Sequence, residues 1–104
     1  MPVVVVASFT VKPESVDVVR EACKTAVAAV HEEPGCDLYA VHESDKTFVF
    51  VEQWASEDAL KTHSTAPGVT ALFGAIGEHL DGAPDIKMLT AIPAGDPAKG
   101  LVRP

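Results

Sequence analysis

Residues 48–69 read FVFVEQWASEDALKTHSTAPGV, and this stretch decides the fold. Phe48, Phe50, Glu52 and Trp54 alternate with Val49, Val51 and Gln53. Aromatic and β-branched residues at period two predict a strand, from Thr47 to Trp54, with bulk on both faces. Ser56 follows as a helix N-cap, with Glu57 and Asp58 placed against the helix dipole. The helix it opens carries Ala59, Leu60 and His63, and Ala66-Pro67-Gly68 interrupts it. Val69, Leu72, Phe73, Ile76 and Leu80 then recur at helical spacing, so a second apolar stripe runs to Leu80. A strand thus ends in Glu-x-Trp and feeds a helix in two pieces, with a histidine nine residues past the tryptophan.

Working outward, Cys36 to Glu43 reads as a strand joined to Thr47–Trp54 through the turn residues Ser44-Asp45-Lys46. Before it, Ser15 is positioned to cap a helix whose apolar residues are Val16, Val19, Cys23, Ala26, Val27 and Val30. That helix is expected to reach Glu33, where Pro34-Gly35 ends it. Val3 to Val11 is a β-branched strand closed by Lys12-Pro13, and Asp85 to Ile92 a fourth strand after the loop Asp81–Pro84. The order β-α-β-β-α-β is the ferredoxin-like pattern of an α+β domain. It implies a four-stranded antiparallel sheet with helices on one face. Residues 1–92 form one domain, and residues 93–104, PAGDPAKGLVRP, a Pro/Gly-rich arm or flexible tail. Val4, Val6, Val41, Val49 and Val51 are assigned to the face the helices leave open. A single domain has nothing left to cover them, so a homodimer through the sheet faces is expected.

The chain has 104 residues, a net charge of −7 and 47% hydrophobic residues. One domain of this length holds a real but small core. Scattered basic residues and an acidic balance argue against nucleic acid and against an anionic membrane surface. Cys23 and Cys36 read as small apolar residues rather than a bridge. The apolar start is too short to span a membrane and lacks a basic leader, so the expected location is cytoplasmic. No His-x-His, His-x-x-x-His or closely spaced cysteine pair suggests a metal, and no Gly-rich loop follows a strand.

Two segments, HEEPGCDLYAVHES and FVFVEQWASEDALKTHSTAPGV, resemble the signatures of the antibiotic biosynthesis monooxygenase family. The resemblance covers about residues 3–92 and is nearest to the small quinol-oxidising members, which commonly keep the equivalents of Glu52, Trp54 and His63. It implies a dimeric α+β barrel with a pocket between sheet and helices in each subunit. It also implies a monooxygenase without flavin, metal or haem, whose small aromatic quinol or phenol reacts with O2 directly. Trp54 and His42 match positions of the anthrone oxygenases. Phe50, Leu60 and a residue near Gly74 stand where those enzymes carry Asn, Tyr and Arg, so the polar part of that site is missing. The haem-degrading members' positions fall near Phe9, His63 and Phe73, and an axial ligand is lacking at the last.

The candidate catalytic residues are His63, His42 and Glu52. Histidine is the side chain that exchanges protons near neutral pH, and a carboxylate facing a core must be paired, wetted or neutralised. Glu52 can orient a histidine, act as base, or bond a loop. Trp54, Phe50, Phe9, Leu72, Phe73 and Ile76 are the candidate substrate-binding residues, each equally able to be plain core. Tyr39, on the opposite strand face from His42, is assigned to the dimer interface, and His31 and His79 to the surface. A cofactor-free isomerase using Glu52 and His63, and a non-catalytic small-ligand-binding dimer, are the alternative readings.

Overall fold

A computed structural model describes all 104 residues. The β-branched N-terminal run forms β1, Val3–Thr10. Pro13 then sets a 3-10 turn at Pro13–Ser15, which opens α1, Val16–Val30. Val19, Cys23, Ala26 and Val30 recur every three or four residues, and all four are buried. Helix α1 stops three residues before the expected Glu33. Pro34 cannot continue it, and Gly35 turns the chain at φ +83°. Strands β2, Cys36–Ser44, and β3, Thr47–Trp54, are joined by the two-residue turn Asp45-Lys46. Asp45 sits there at φ +56°, a left-handed conformation that Asp tolerates.

Ser56 caps α2, Glu57–Ser64: its hydroxyl accepts a hydrogen bond from the Ala59 N–H at 3.1 Å. Pro67 begins α3, Pro67–Ile76, and a 3-10 turn at Gly77–His79 follows. The last strand, β4, is Asp85–Leu89. It is three residues shorter than the expected 85–92, and residues 93–104 form no regular element beyond a turn in which Gly100 N–H donates to the Asp96 carbonyl. Ser15 is a correction to the expected cap. Its side chain makes no capping bond and instead pairs with His79 Nδ1 at 2.8 Å. That contact draws His79, expected on the surface, into a half-buried position.

The four strands make one antiparallel sheet in the order β2-β3-β1-β4, with the helices on one face. The register pairs Val5 with Glu52, Ala7 with Phe50 and Phe9 with Phe48, so these side chains share the helix-facing side. Phe48, Phe50, Trp54, Val19, Val30 and Ile76 are the fully buried centre of the core. Each such side chain contributes on the order of 1.5–3 kcal/mol of burial free energy. All five residues of β4 are exposed, and its inward-facing Ile86 remains 59% exposed, so the helical layer leaves that edge uncovered.

One irregularity overturns three expectations. Cys36 pairs with Trp54 but Leu38 pairs with Gln53, so Asp37 is an extra residue, a β-bulge. Beyond it the alternation of β2 is inverted. Tyr39 lies opposite Glu52, and Val41 opposite Phe50, both on the helix face rather than the open one. His42 lies opposite Val49 on the outer face, exposed, with Nδ1 3.4 Å from the Val49 carbonyl. On that outer face Val4 and Gln53 are buried, and Val6, Val49 and Val51 half-buried. No helix is long and apolar enough to cross a membrane.

Candidate active site

A cavity of about 390 Å³ lies between the sheet and the pair α2/α3. Ligand sites typically occupy roughly 300–1,000 Å³. Its floor is Val5, Ala7 and Phe9 of β1 with Phe50 and Glu52 of β3. Its roof is Leu60 and His63 of α2 with Val69, Leu72 and Phe73 of α3. Tyr39 closes one side, and Pro84 and Ile86 stand on the side toward the uncovered β4. No lysine or arginine lines it. The apolar residues are where strand alternation and helix periodicity place them, since each element turns its core-facing side toward the same space.

The polar end is built from four side chains. Trp54 Nε1–H donates to Glu52 Oε1 at 2.9 Å. The same Oε1 lies 4.0 Å from His63 Nε2. His63 Nδ1 is 3.0 Å from Oε1 of Glu33, which stands in the turn between α1 and β2. The imidazole lies over the indole, with ring centroids 4.3 Å apart at 31°, and meets the Tyr39 ring edge-on at 5.4 Å. Glu52 is 4% exposed and His63 5%.

Burial pushes the Glu52 carboxyl above the usual carboxylate range, with the Glu33 charge adding to the shift. The Trp54 hydrogen bond and the His63 charge oppose it without cancelling it. Burial, with the neighbouring Glu52 charge, likewise holds the Tyr39 phenol well above its ordinary value. No buried side-chain nitrogen or oxygen lacks a hydrogen-bond partner. Glu52 Oε2 and His63 Nε2 make no hydrogen bond within the protein, so both are open to the cavity. The arrangement offers one carboxyl oxygen and one imidazole nitrogen to a ligand in a mostly apolar space, whose lining also includes Ser8, Ser64 and Thr70. Both atoms can exchange protons.

Of the residues expected at the site, His63, Glu52, Phe50, Phe9, Leu72 and Phe73 line this cavity. Three do not. His42 is carried to the far face of the sheet by the bulge at Asp37. Trp54 is fully buried behind the wall, where it supports Glu52 and His63 instead of meeting the cavity. Ile76 is fully buried in the core under α3. Tyr39, assigned from alternation to the dimer interface, is instead part of the cavity wall. Glu33 was not anticipated at all. The one local hint is a carboxylate immediately before Pro34-Gly35, since a sharp turn between two core elements can throw its preceding side chain inward. No grouping of His, Cys, Asp and Glu is suited to hold a metal ion.

Comparison with known proteins places the fold. A Mycobacterium tuberculosis protein, Rv0793, superposes with a TM-score of 0.84 over 92% of this chain and 100% of its own, at 24% identity. A Caulobacter crescentus protein provisionally described as an antibiotic biosynthesis monooxygenase gives a TM-score of 0.82 at 32% identity, over 88% of this chain and 90% of its own. The Synechocystis protein sll1783, itself uncharacterized, is 32% identical over 69 residues, which are 64% of this chain and 47% of that protein. The chain thus spans about half the length of the curated relative it matches. The family profile described as antibiotic biosynthesis monooxygenase matches residues 2–74. The chain belongs to the antibiotic biosynthesis monooxygenase family.

Proposed function

We propose that the protein is a monooxygenase that oxidises a small quinol or phenol with O2. The observation that carries the reading is the approach of His63 Nε2 to Glu52 at the polar end of a mostly apolar cavity. A flat aromatic ring fits between Phe9 and Phe50 below and Leu72 and Phe73 above, with its hydroxyl against His63. His63 takes the phenolic proton. The electron-rich anion then passes an electron to O2, and the radical pair joins as a ring hydroperoxide. Loss of water leaves a new carbonyl or hydroxyl on the ring. One oxygen atom stays on the product and the other leaves as water; the substrate gains an oxygen, loses two hydrogens and so supplies all four electrons. Because an ionised quinol reduces O2 by itself, the reading requires no flavin, haem or metal. The protein contributes position, a proton acceptor and a dry enclosure.

Oxygen uptake by flavin-free, chelator-treated protein across a panel of mono- and bicyclic quinols tests this. Turnover above the spontaneous rate, reduced at least about 100-fold in H63A, is expected. Uptake equal to the protein-free control across the panel overturns it. A second reading, a cofactor-free isomerase, draws on the raised Glu52 carboxyl beside His63, an acid and a base reaching one ligand. It predicts substrate-proton exchange into deuterated water under argon, where the oxygenase reading predicts no product. A ligand bound with neither outcome identifies a binding module.

We also propose that two copies pair through the outer sheet face. The support is its stripe of half-buried Val6, Val49 and Val51, which no helix covers.

A further inference from the structure

We propose that Glu33 is the positioning residue of this site: it holds a proton on His63 Nδ1 and so makes Nε2 the only ring nitrogen that gains or loses one. The inference rests on the reading of His63 as the base, and assigns a task to a residue that touches neither cavity nor substrate. An ionised carboxylate only accepts hydrogen bonds, so the 3.0 Å contact between Glu33 Oε1 and His63 Nδ1 requires the proton on Nδ1. In the neutral ring, Nε2 then carries the lone pair, and Nε2 is the atom open to the cavity and 4.0 Å from Glu52. The opposite tautomer would present N–H to the substrate and could not accept its proton. Ring rotation cannot exchange the two nitrogens freely, because the imidazole lies between the Trp54 face and the Tyr39 edge.

The backbone is shaped for this contact. Gly35 sits at φ +83°, and a Cβ there would fall 2.6 Å from the Ala59 Cβ, one turn before His63 on α2. Only glycine lets the Glu33-Pro34-Gly35 turn seat that closely on the helix that carries the histidine. Ala55 N–H donates to the Gly35 carbonyl at 2.8 Å and fixes the other side of the turn. Gly68 at the start of α3 faces Val30 and Glu33 Oε2, where its own Cβ would lie 3.3 Å and 3.6 Å from them. Three elements thus close around one carboxylate, whose side chain is 15% exposed. The titratable groups facing His63 are Glu33 from the α1–β2 turn, Glu52 from β3 and Tyr39 from β2.

Long-range proton–nitrogen correlation spectra of histidine-labelled protein test the assignment, with the His63 signals identified by their loss in H63Q. For the neutral ring, the wild-type pattern expected is Nδ1–H with an unprotonated Nε2. An Nε2–H pattern overturns the proposal without any variant being needed. In E33L no acceptor remains for a proton on Nδ1, and the pattern should shift toward Nε2–H. An unchanged pattern in folded E33L also overturns it. With a quinol that the wild type turns over, E33L should lose roughly 10- to 100-fold in kcat with KM nearly constant, the size of loss seen when a carboxylate orienting a histidine is removed. E33D, which keeps the acceptor, should recover part of it. Failure of every quinol with the tautomer pattern intact would remove the oxygenase reading and leave the positioning role standing.

Discussion

Glu52 is the residue whose chemistry departs furthest from its ordinary behaviour. Its carboxyl is raised by burial, so the folded chain binds that proton more tightly than the unfolded chain. Stability therefore falls as pH rises from the ordinary carboxylate range to the raised folded value, then levels off. E52Q keeps the acceptor for Trp54 Nε1–H and removes the charge. The variant should match the wild type in melting temperature near about pH 4 and exceed it near about pH 8; a wild-type advantage that grows with pH contradicts this. Trp54 supports the site from behind. W54F removes the donor to Glu52 and part of the surface under His63, and should cost about 1–3 kcal/mol in urea unfolding. The alternation of β3 groups Glu52 with Phe48, Phe50 and Trp54 on one face, and the family resemblance turns that face inward. Its partner Trp54 is legible as an inward indole, but whether that ring meets the cavity or backs it depends on where α2 comes to rest.

At the scale of elements, two glycines offer opposite outcomes. Gly35 is held at positive φ against Ala59, so G35A should destabilise the fold by roughly 1–3 kcal/mol and displace α2. Gly74 lies in α3, where an added Cβ would meet nothing within 4 Å, so G74A should stabilise by about 0.5–1 kcal/mol through helix propensity alone. Paired thermal or urea melts check both, and equal effects would contradict the distinction. The strand β2 is where sequence alternation misleads. Counting by twos from Cys36, whose side chain faces inward with Trp54, puts His42 inside and Tyr39 and Val41 outside. The single extra residue at Asp37 reverses all three. Nothing in CDLYAVHES marks that bulge, because it is fixed by the ladder to β3 and not by the composition of β2.

For the whole molecule, the helix-free face of the sheet is where the proposed dimer would pair. V51K places a charge in the middle of that face, opposite Val6 in the β1–β3 ladder, and away from the cavity. Light scattering behind gel filtration should report a dimer for the wild type and a monomer for V51K; a wild-type monomer at micromolar concentration contradicts the pairing. The family resemblance turned the Glu52 face of β3 toward the helices; the sequence by itself determined the element order, the antiparallel sheet and which residues share one face of a strand or helix. Those follow from period-two and period-3.6 patterns, which are local properties of a chain. Only the tertiary structure decided that Glu33 meets a histidine 30 residues away, that Trp54 braces the wall, and that Tyr39 replaces His42 at the cavity. Each of those depends on how separate elements dock, through a close approach at Gly35 and a register shift at Asp37, and periodicity within one element carries no information about the distance to another.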